Sequence, residues 1–358
     1  MNICYLCGDL SRGGGTEKIT QIIANELTKE KETNIFIVDV SNNSGFIYYP
    51  LKKQICVVHL DGENIVQKIK KLYLFLKETN IDIIVNVDIM LMMYSYIPAR
   101  LNHVAIVSWE QFNYYNDIGS KHTKNMRQFC LKHSDYYVNL TEADMKTFKE
   151  NFRITIPITY IYNPVVSKDY SKKKYNTESK ILITAGNFYK AKGYDYCIQV
   201  GELIFEKYPN WKWMLCGDGI EFENIKNLAN KSKWKENFIF TGRICDLEKK
   251  MDNSAIYVSC SLSEGFGLVL IEAQQSRLPI VAFDVPFGPS EIISNNVNGF
   301  LISNLDVEEM ARKIIFLIEH SEERVRFSHN SSILHDRFSL DKIISQWKNI
   351  FYSVMSKK

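Results

Sequence analysis

The sequence predicts an α/β protein of two similar domains, each a parallel β-sheet covered by helices. Its 358 residues exceed the usual size of one hydrophobic core. Short apolar segments rich in β-branched residues alternate with longer amphipathic segments in both halves, which is typical of parallel strands and their connecting helices. A polar, lysine-rich stretch between Val165 and Ser179 interrupts this alternation, so we predict a linker there.

The first half opens with a predicted strand at residues 2–7, a glycine-rich loop that ends at Gly15, and a helix at 16–29. This loop matches neither G-x-G-x-x-G nor a P-loop, so an ordinary dinucleotide or ATP site is not indicated. The alternation then continues to residue 162. The further predicted strands are 34–40, 55–60, 81–87, 104–109, 136–140 and 158–162, and the helices are 65–77, 90–99, 121–133 and one capped by Thr141 that runs to 150.

The second half repeats the pattern from Lys180 onward. Predicted strands lie at 181–185, 211–216, 238–241, 255–258, 280–283 and 299–301. Predicted helices lie at 194–207, 221–230, 306–319 and 340–354, and another starts after Gly267. Ligands of such sheets bind at the carboxyl ends of the strands, so we expect the site in a cleft between the halves.

The composition indicates an ordinary globular protein, with 46% hydrophobic and 24% charged residues. A net charge of +3 is too small to indicate nucleic-acid binding, although it allows weak attraction to an anionic membrane surface. Cys4 and Cys7 have the spacing of a redox or zinc pair, but successive strand residues face opposite ways and no second pair completes a metal site. We therefore expect core cysteines in a reducing cytoplasm.

No targeting or membrane-spanning segment is predicted. Asp9 and Arg12 interrupt the apolar N-terminal segment early, which is unlike a signal peptide. No window approaches the roughly 20 apolar residues of a membrane span. We therefore expect a cytoplasmic protein that contacts the membrane at most peripherally.

Two glutamates flank a glycine turn after the predicted strand 255–258. Glu264 lies in the loop and Glu272 on the following helix, and Gly265 and Gly267 between them allow a ligand to approach the backbone closely. Free amides at a helix start favour an anion. The residues alone leave an alternative open, in which Glu264 is a helix-start carboxylate favoured by the helix dipole and Glu272 is solvated.

Four motifs together resemble glycosyltransferase family 4, whose bacterial members build cell-surface polysaccharides such as lipopolysaccharide and capsule. The resemblance implies an enzyme that retains the configuration of the transferred sugar. It also implies the GT-B architecture, in which two Rossmann-like domains face each other across a cleft and a C-terminal helix returns to the N-terminal domain. It implies an acceptor-binding domain at 1–165, joined by about 338–358, and a nucleotide-sugar-binding domain at 166–337. The motifs are the glutamate pair with its glycines, Gly14-Gly15-Thr16-Glu17, the loop Gly186 to Gly193, and Gly288-Pro289-Ser290-Glu291-Ile292 with Asn298-Gly299-Phe300-Leu301.

The resemblance also implies roles for individual residues. Glu264 is expected beside the donor sugar and Glu272 on the nucleotide ribose. The donor diphosphate is expected at Lys192 and the backbone amides of the glycine turn, because its negative charge rises as the glycosidic bond breaks. Those amides belong to Gly265, Phe266 and Gly267. The resemblance further implies that the nucleotide base binds near Arg243 and that a loop at Gly15 closes over the donor.

Two positions are more loosely matched. The family's usual arginine is Asn187 here, which removes a bidentate phosphate partner, and Lys190 either replaces its charge or is a solvated loop lysine. Glu110 follows the strand 104–109 and is our candidate for positioning the acceptor or handling its proton. The alternative for Glu110 is an ordinary carboxylate at a strand end.

The reaction implied is the transfer of a hexose or N-acetylhexosamine from a UDP-sugar to a glycan or lipid-linked glycan. No Asp-x-Asp pair occurs, and the resemblance implies neither a metal nor another cofactor. A nucleotide-sugar epimerase and a non-catalytic partner subunit that binds nucleotide-sugar remain alternatives.

One segment mixes aromatic and basic residues that either contact lipid headgroups or form a plain amphipathic helix and loop: Tyr114, Tyr115, Lys121, His122, Lys124, Arg127 and Lys132.

Overall fold

The computed structural model divides the chain into two compact units. The first comprises Met1–Val166 together with Leu340–Lys358, and the second comprises Ser167–Ser339. The structure describes residues 1–42, 45–116, 120–166, 175–333 and 337–357. Most of the predicted linker, including its lysines at 168 and 172–174, therefore lies outside the described residues.

The first unit is built on a parallel sheet of seven strands in the order β3-β2-β1-β4-β5-β6-β7. The central strands are buried on both faces, which explains why they read as continuous apolar segments rather than as alternating ones. The strands are β1 (Asn2–Cys7), β2 (Asn34–Asp39), β3 (Cys56–His59), β4 (Ile83–Asn86), β5 (Ala105–Trp109), β6 (Tyr136–Asn139) and β7 (Ile158–Tyr160).

Helices connect these strands. Predicted helix 90–99 begins with a 3-10 turn at Ile89–Leu91 before it becomes regular. The helices are α1 (Gly15–Leu27), α2 (Ile65–Glu78), α3 (Met92–Leu101), α4 (Lys121–His133) and α5 (Glu142–Asn151).

The second unit has a parallel sheet of six strands in the order β10-β9-β8-β11-β12-β13. Its strands are β8 (Ile181–Ala185), β9 (Lys212–Cys216), β10 (Phe238–Gly242), β11 (Ile256–Ser259), β12 (Ile280–Phe283) and β13 (Gly299–Ile302). Its helices are α6 (Tyr194–Lys207), α7 (Phe222–Asn230), α8 (Leu247–Asp252), α9 (Leu268–Gln275), α10 (Pro289–Ile292), α11 (Val307–Glu319) and α12 (Ser321–Ile333). These two parallel sheets with their helices are the fold class that the sequence predicted.

The last helix, α13 (Leu340–Met355), belongs to the first unit, as the family resemblance implied. Trp347 on α13 is fully buried and its ring lies 4.9 Å from that of Trp109, at the end of β5. Lys348 pairs with Glu30, just after α1, at 2.7 Å. The final helix is therefore fixed by both an apolar and a charged contact.

The structure differs from the sequence-based prediction at α12, which we did not expect. Its core-facing side includes Arg324, Ser328 and Ser331, so it lacks the apolar stripe that indicates a helix. The two terminal nitrogens of the Arg324 guanidinium donate to backbone carbonyls, Nη1 to Leu317 at 2.7 Å and Nη2 to Thr177 at 2.8 Å. Polar groups buried in this way leave no periodic apolar signal in the sequence.

Two smaller expectations can be compared with the structure. Cys4 and Cys7 are buried in β1, and all eight cysteines are free thiols. None of the helices within the described ranges is long and apolar enough to cross a membrane.

Candidate functional site

The centre of the second sheet is a topological switch point. The chain runs from β8 to β9 and β10 on one side, and from β11 to β12 and β13 on the other, while β8 and β11 pair directly. The loops that leave the carboxyl ends of these two strands therefore emerge side by side. Ligands of open α/β sheets bind at such a position.

The loop after β8 is anchored by stacked rings. Phe188 is fully buried and lies parallel to Tyr194 at 3.7 Å, and the Tyr194 hydroxyl shares its proton between the carbonyls of Gly186 at 2.9 Å and Cys216 at 3.1 Å. The loop then forms a 3-10 turn at Lys190–Lys192 and ends at Gly193. A Cβ at Gly193 would lie 2.0 Å from the carbonyl oxygen of Cys260, so only glycine lets the two loops approach this closely.

An ion pair joins the two loops. Lys192 Nζ donates to Glu264 Oε1 at 2.6 Å, and their side chains are 28% and 11% exposed. The backbone amide of Leu262 also donates to the carbonyl of Ala191 at 2.8 Å. Glu264 is therefore not an isolated helix-start carboxylate, and the side chain of Lys192 is held in place while it remains partly exposed.

The glycine turn at the start of α9 is held by contacts with two other segments of the second unit. Phe266 is buried against Phe338, with ring centroids 5.8 Å apart, and Gly267 caps α9 with a φ of 92°. A Cβ at Gly288 would lie 2.3 Å from the carbonyl oxygen of Phe266, so a larger residue there would displace the turn. The backbone of the turn is thus fixed while Gly265 remains partly accessible.

The other predicted donor residues lie around these loops with different exposures. Glu272 is half-buried on α9, between the buried residues Ile271 and Ala273. Asn187 and Lys190 are exposed on the loop after β8, and Arg243 is exposed directly after β10. The structure thus brings Lys192 and Glu264 into contact and leaves Asn187, Lys190 and Arg243 open to solvent.

In the first unit, the glycine loop after β1 leads directly into α1. Gly15 is exposed and is the first residue of α1, and Gly14 precedes it as the N-cap. Glu17 lies in the first turn, where burial raises its pKa. This loop occupies the switch point of the first sheet, where β1 pairs with β4.

Glu110 is fully buried, so the geometry favours the alternative of a carboxylate with a structural role. Its Oε2 accepts hydrogen bonds from Arg127 Nε at 2.9 Å and the Tyr137 hydroxyl at 3.0 Å, and its Oε1 accepts one from the Phe112 amide at 3.2 Å. Burial raises the pKa of Glu110, and the charge of Arg127 opposes this shift. A direct role in handling the acceptor proton stays a prediction.

Arg127 corrects one of our interpretations, since it is not available to lipid headgroups. It is 2% exposed, and its guanidinium donates to the Glu110 carboxylate and to three backbone carbonyls of the loop after β5. A signal was present in the sequence, because Arg127 lies one turn from Cys130 and Leu131 and therefore on the apolar face of α4. Tyr114, from the same interpretation, packs its ring against Phe148.

Two further carboxylates in the first unit were missed. Asp88 follows β4 with a φ of 156°, which residues other than glycine rarely adopt, and it accepts from the Met90 amide at 2.7 Å. Asp144 is fully buried, and burial together with the charge of Glu110 raises its pKa to about 7. Asp88 was missed although its hydrogen bond is local, whereas the environment of Asp144 depends on the loop after β5 and has no local signal.

Comparison with known proteins gives a consistent result. Residues 166–332 match the family described as glycosyl transferases group 1. An uncharacterized glycosyltransferase of Haemophilus influenzae is 29% identical over 356 residues, which cover 97% of this chain and 99% of that protein. The poly(ribitol-phosphate) alpha-N-acetylglucosaminyltransferase of Staphylococcus aureus is 31% identical over 215 residues, which cover 60% of this chain and 43% of that protein.

The fold is also shared with solved structures. A Staphylococcus aureus TarM mutant, crystallised with UDP, fondaparinux and alpha-GlcNAc-glycerol, superposes with a TM-score of 0.84 over 98% of this chain and 99% of that chain, at 16% identity. The predicted GT-B architecture is therefore supported by structure as well as by sequence. The second unit matches the group 1 glycosyl transferases, and the chain as a whole has the GT-B fold of glycosyltransferases.

Proposed function

We propose that this protein is a retaining glycosyltransferase that moves a hexose or N-acetylhexosamine from a UDP-sugar to a glycan or lipid-linked glycan during cell-surface polysaccharide assembly. The observation that carries the proposal is the Lys192–Glu264 ion pair at the switch point of a domain that matches glycosyl transferases. The names of the Staphylococcus aureus relatives, which include an N-acetylglucosaminyltransferase and a structure with UDP, support this donor class.

The chemistry of the leaving group explains why this arrangement suits the reaction. A nucleoside diphosphate gains negative charge as the bond to the sugar breaks, so positive groups must be placed where that charge develops. Lys192 has a partly exposed side chain that is held by Glu264, and Gly265, Phe266 and Gly267 follow Glu264 directly in the chain at the start of α9. We propose that these groups bind the diphosphate and that the reaction therefore needs no metal.

We assign the other contacts with the donor from where each residue lies around the loops of the site. Glu272 is half-buried on α9, where its carboxylate is suited to accept hydrogen bonds from ribose hydroxyls. Glu264 lies in the loop, and we propose that it faces the donor sugar and supports positive charge at the reacting carbon. We assign Arg243 to the region of the base and Gly15 to a loop that closes over the donor.

The proposed location in the cell and the proposed partners follow from the proposed reaction. A lipid-linked acceptor would bring the protein to the inner face of the cytoplasmic membrane, and a cytoplasmic location gives access to nucleotide-sugars. The basic residues Lys121, Lys124 and Lys132 of α4 are exposed and remain available for such a contact. Arg127 is excluded from it by its burial.

One assay tests the proposal against its alternatives. The purified protein is incubated with a panel of nucleotide-sugars, with and without bacterial membrane extract, and both free nucleotide and sugar identity are measured. We expect nucleotide release that depends on the extract and that persists in EDTA. Isomerised sugar without an acceptor would indicate an epimerase, and donor binding without turnover would indicate a non-catalytic subunit. Reversible loss of turnover in EDTA would contradict the metal-independent mechanism.

A further inference from the structure

Asp88 lies at the switch point of the first sheet and has an unusual backbone conformation. It follows β4, the middle strand, which pairs with β1 on one side and with β5 on the other. Its φ is 156°, and the residues on either side, Val87 and Ile89, are only 3% and 2% exposed. Backbone strain of this kind persists where the surroundings hold it, and it is concentrated at functional sites. A side chain displayed in this way is a candidate for binding a ligand.

The carboxylate of Asp88 has one oxygen in use and one that is open. Oδ1 accepts a hydrogen bond from the Met90 amide at 2.7 Å, which caps the 3-10 turn at Ile89–Leu91. Oδ2 has no hydrogen-bond partner in the part of the chain that the structure describes. It is also not one of the buried polar atoms that lack a partner, so it keeps accessible surface. The bond to Met90 therefore orients the carboxylate while Oδ2 is left for a ligand.

The neighbouring strand leaves room beside Asp88. Leu6 pairs with Asn86, and the amide of Val87 donates to the carbonyl of Leu6 at 3.0 Å, so β1 and β4 leave the sheet side by side. Gly8 and Asp88 each lie two positions beyond that pair. A Cβ on Gly8 would meet no atom of the described residues within 4 Å, apart from those next to it in the chain. The end of β1 thus lets a ligand approach the sheet edge at Asp88.

The charges behind Asp88 decide which ligand chemistry fits. Burial raises the pKa of Asp88, and the charge of Arg127 opposes this shift. The Arg127 guanidinium donates to Glu110 and to carbonyls of the loop after β5, so it compensates the charge of Asp88 without a hydrogen bond to it. An anion would be repelled by the carboxylate, and the charge of Arg127 disfavours a second cation. A neutral hydroxyl, which donates one hydrogen bond, is the group that fits Oδ2.

We propose that Asp88 binds the acceptor hydroxyl that attacks the donor sugar, by accepting its hydrogen bond on Oδ2. The bond holds the hydroxyl in one orientation and leaves an oxygen lone pair free for the reacting carbon. Asp88 thereby takes the positioning role that we considered for Glu110, whose buried carboxylate already accepts three hydrogen bonds from the protein. This inference rests on the proposed function, since it identifies a residue that binds the acceptor of that reaction.

Three substitutions separate this role from a structural one. Asp88→Asn keeps an oxygen for the Met90 amide, but its Nδ2 would occupy a lone pair of the hydroxyl instead of accepting the hydrogen. Asp88→Ala and Asp88→Gly both remove the carboxylate, and a φ of 156° suits glycine but not alanine. Asp61→Asn is the matched control, because Asp61 is exposed two residues after the edge strand β3 of the same sheet.

Three measurements are made on each full-length protein: nucleotide release that depends on membrane extract, calorimetric titration with UDP, and urea denaturation. We expect every substitution at Asp88 to lower nucleotide release at least about tenfold, because a hydrogen bond to a charged group contributes on that order. The dissociation constant of UDP should stay unchanged, and Asp61→Asn should behave as the wild type does. Asp88→Gly should resist urea better than Asp88→Ala yet be no more active, which a merely structural role would not produce.

Each outcome decides the proposal. A smaller loss of turnover in Asp88→Asn would overturn it, as would a glycine variant that regains activity together with stability. Weakened UDP binding would assign Asp88 to the donor instead of the acceptor. A glycine variant no more stable than the alanine variant would contradict the backbone strain. If the wild type released no nucleotide from any donor, the proposed function and this assignment would both fail, whereas equal turnover by wild type and variants would remove only the assignment.

Discussion

Lys192 and Glu264 lie 72 positions apart in the chain, yet their side chains form an ion pair of 2.6 Å. The contact exists because β8 and β11 are neighbours in the sheet although two other strands separate them in sequence. Together with the glycine turn that follows Glu264, it defines the place where we propose that the donor diphosphate binds.

Replacing Lys192 should weaken donor binding. Lys192→Ala removes the ammonium that we assign to the diphosphate and breaks the ion pair with Glu264, so we expect the dissociation constant of UDP to rise at least tenfold. If Lys190 substitutes for the missing arginine at Asn187, Lys190→Ala should raise the constant similarly. Calorimetric titration with UDP measures both, and Lys231→Ala on the exposed end of α7 is the control. Unaltered UDP affinity in Lys190→Ala would show that Lys190 is a solvated loop lysine with no role in donor binding.

The two glutamates should affect different kinetic parameters. Glu272→Ala should raise the KM for the donor with a smaller change in kcat, because a ribose contact is made equally in the ground state and the transition state. Glu264→Ala should instead lower kcat by two orders of magnitude or more, because it removes charge stabilisation beside the reacting sugar. Steady-state kinetics with varied donor separates the two. Equal losses in the same parameter would contradict this division.

Breaking the buried pair in the first unit should destabilise the protein. Arg127→Met leaves Glu110 buried without its cation, and such changes cost about 3–5 kcal/mol of unfolding free energy. The double variant Arg127→Met with Glu110→Gln should recover part of the loss, because no unpaired charge then remains. Urea denaturation measures both proteins. A single variant as stable as the wild type would show that the buried pair contributes little to the free energy of unfolding.

Asp144 should make stability depend on pH. Its pKa in the folded protein is raised to about 7 by burial and by the charge of Glu110, while Arg127 and the hydrogen bonds from Asn139 and the Tyr114 amide oppose the shift. Between the unfolded and folded pKa values the folded protein binds the extra proton, so stability falls as pH rises, by on the order of 1 kcal/mol per pH unit.

The matched variant for this pH effect is Asp144→Asn, which cannot titrate. Urea denaturation from pH 4.5 to 7.5 should show a wild-type decline that the variant lacks. Parallel curves for the two proteins would exclude Asp144 as the titrating group. Because Glu110 is buried in the same cluster and its pKa is also raised, Glu110→Gln should flatten the wild-type decline only in part.

The sequence was informative where backbone periodicity decides structure. The buried strands of both sheets were recognisable as apolar segments, and the glycine turn at Gly265–Gly267 marked the start of α9. The helix α12 was missed because Arg324 and two serines occupy positions where an apolar stripe would be expected. Arg127 was placed among possible headgroup contacts because the burial of its guanidinium depends on partners in the loop after β5. Contacts that require the strand order, such as Lys192 with Glu264, carry no local signal.

The return of α13 to the first unit has a consequence for building chimaeras. Because Trp347 covers Trp109, a fragment that stops at Val166 would expose an indole ring and should aggregate unless residues 340–358 are supplied as well. The second unit, in contrast, is one uninterrupted stretch of sequence. It can therefore be exchanged for that of a relative with only two junctions, and the chimaera would show whether donor preference follows the second unit, as we propose.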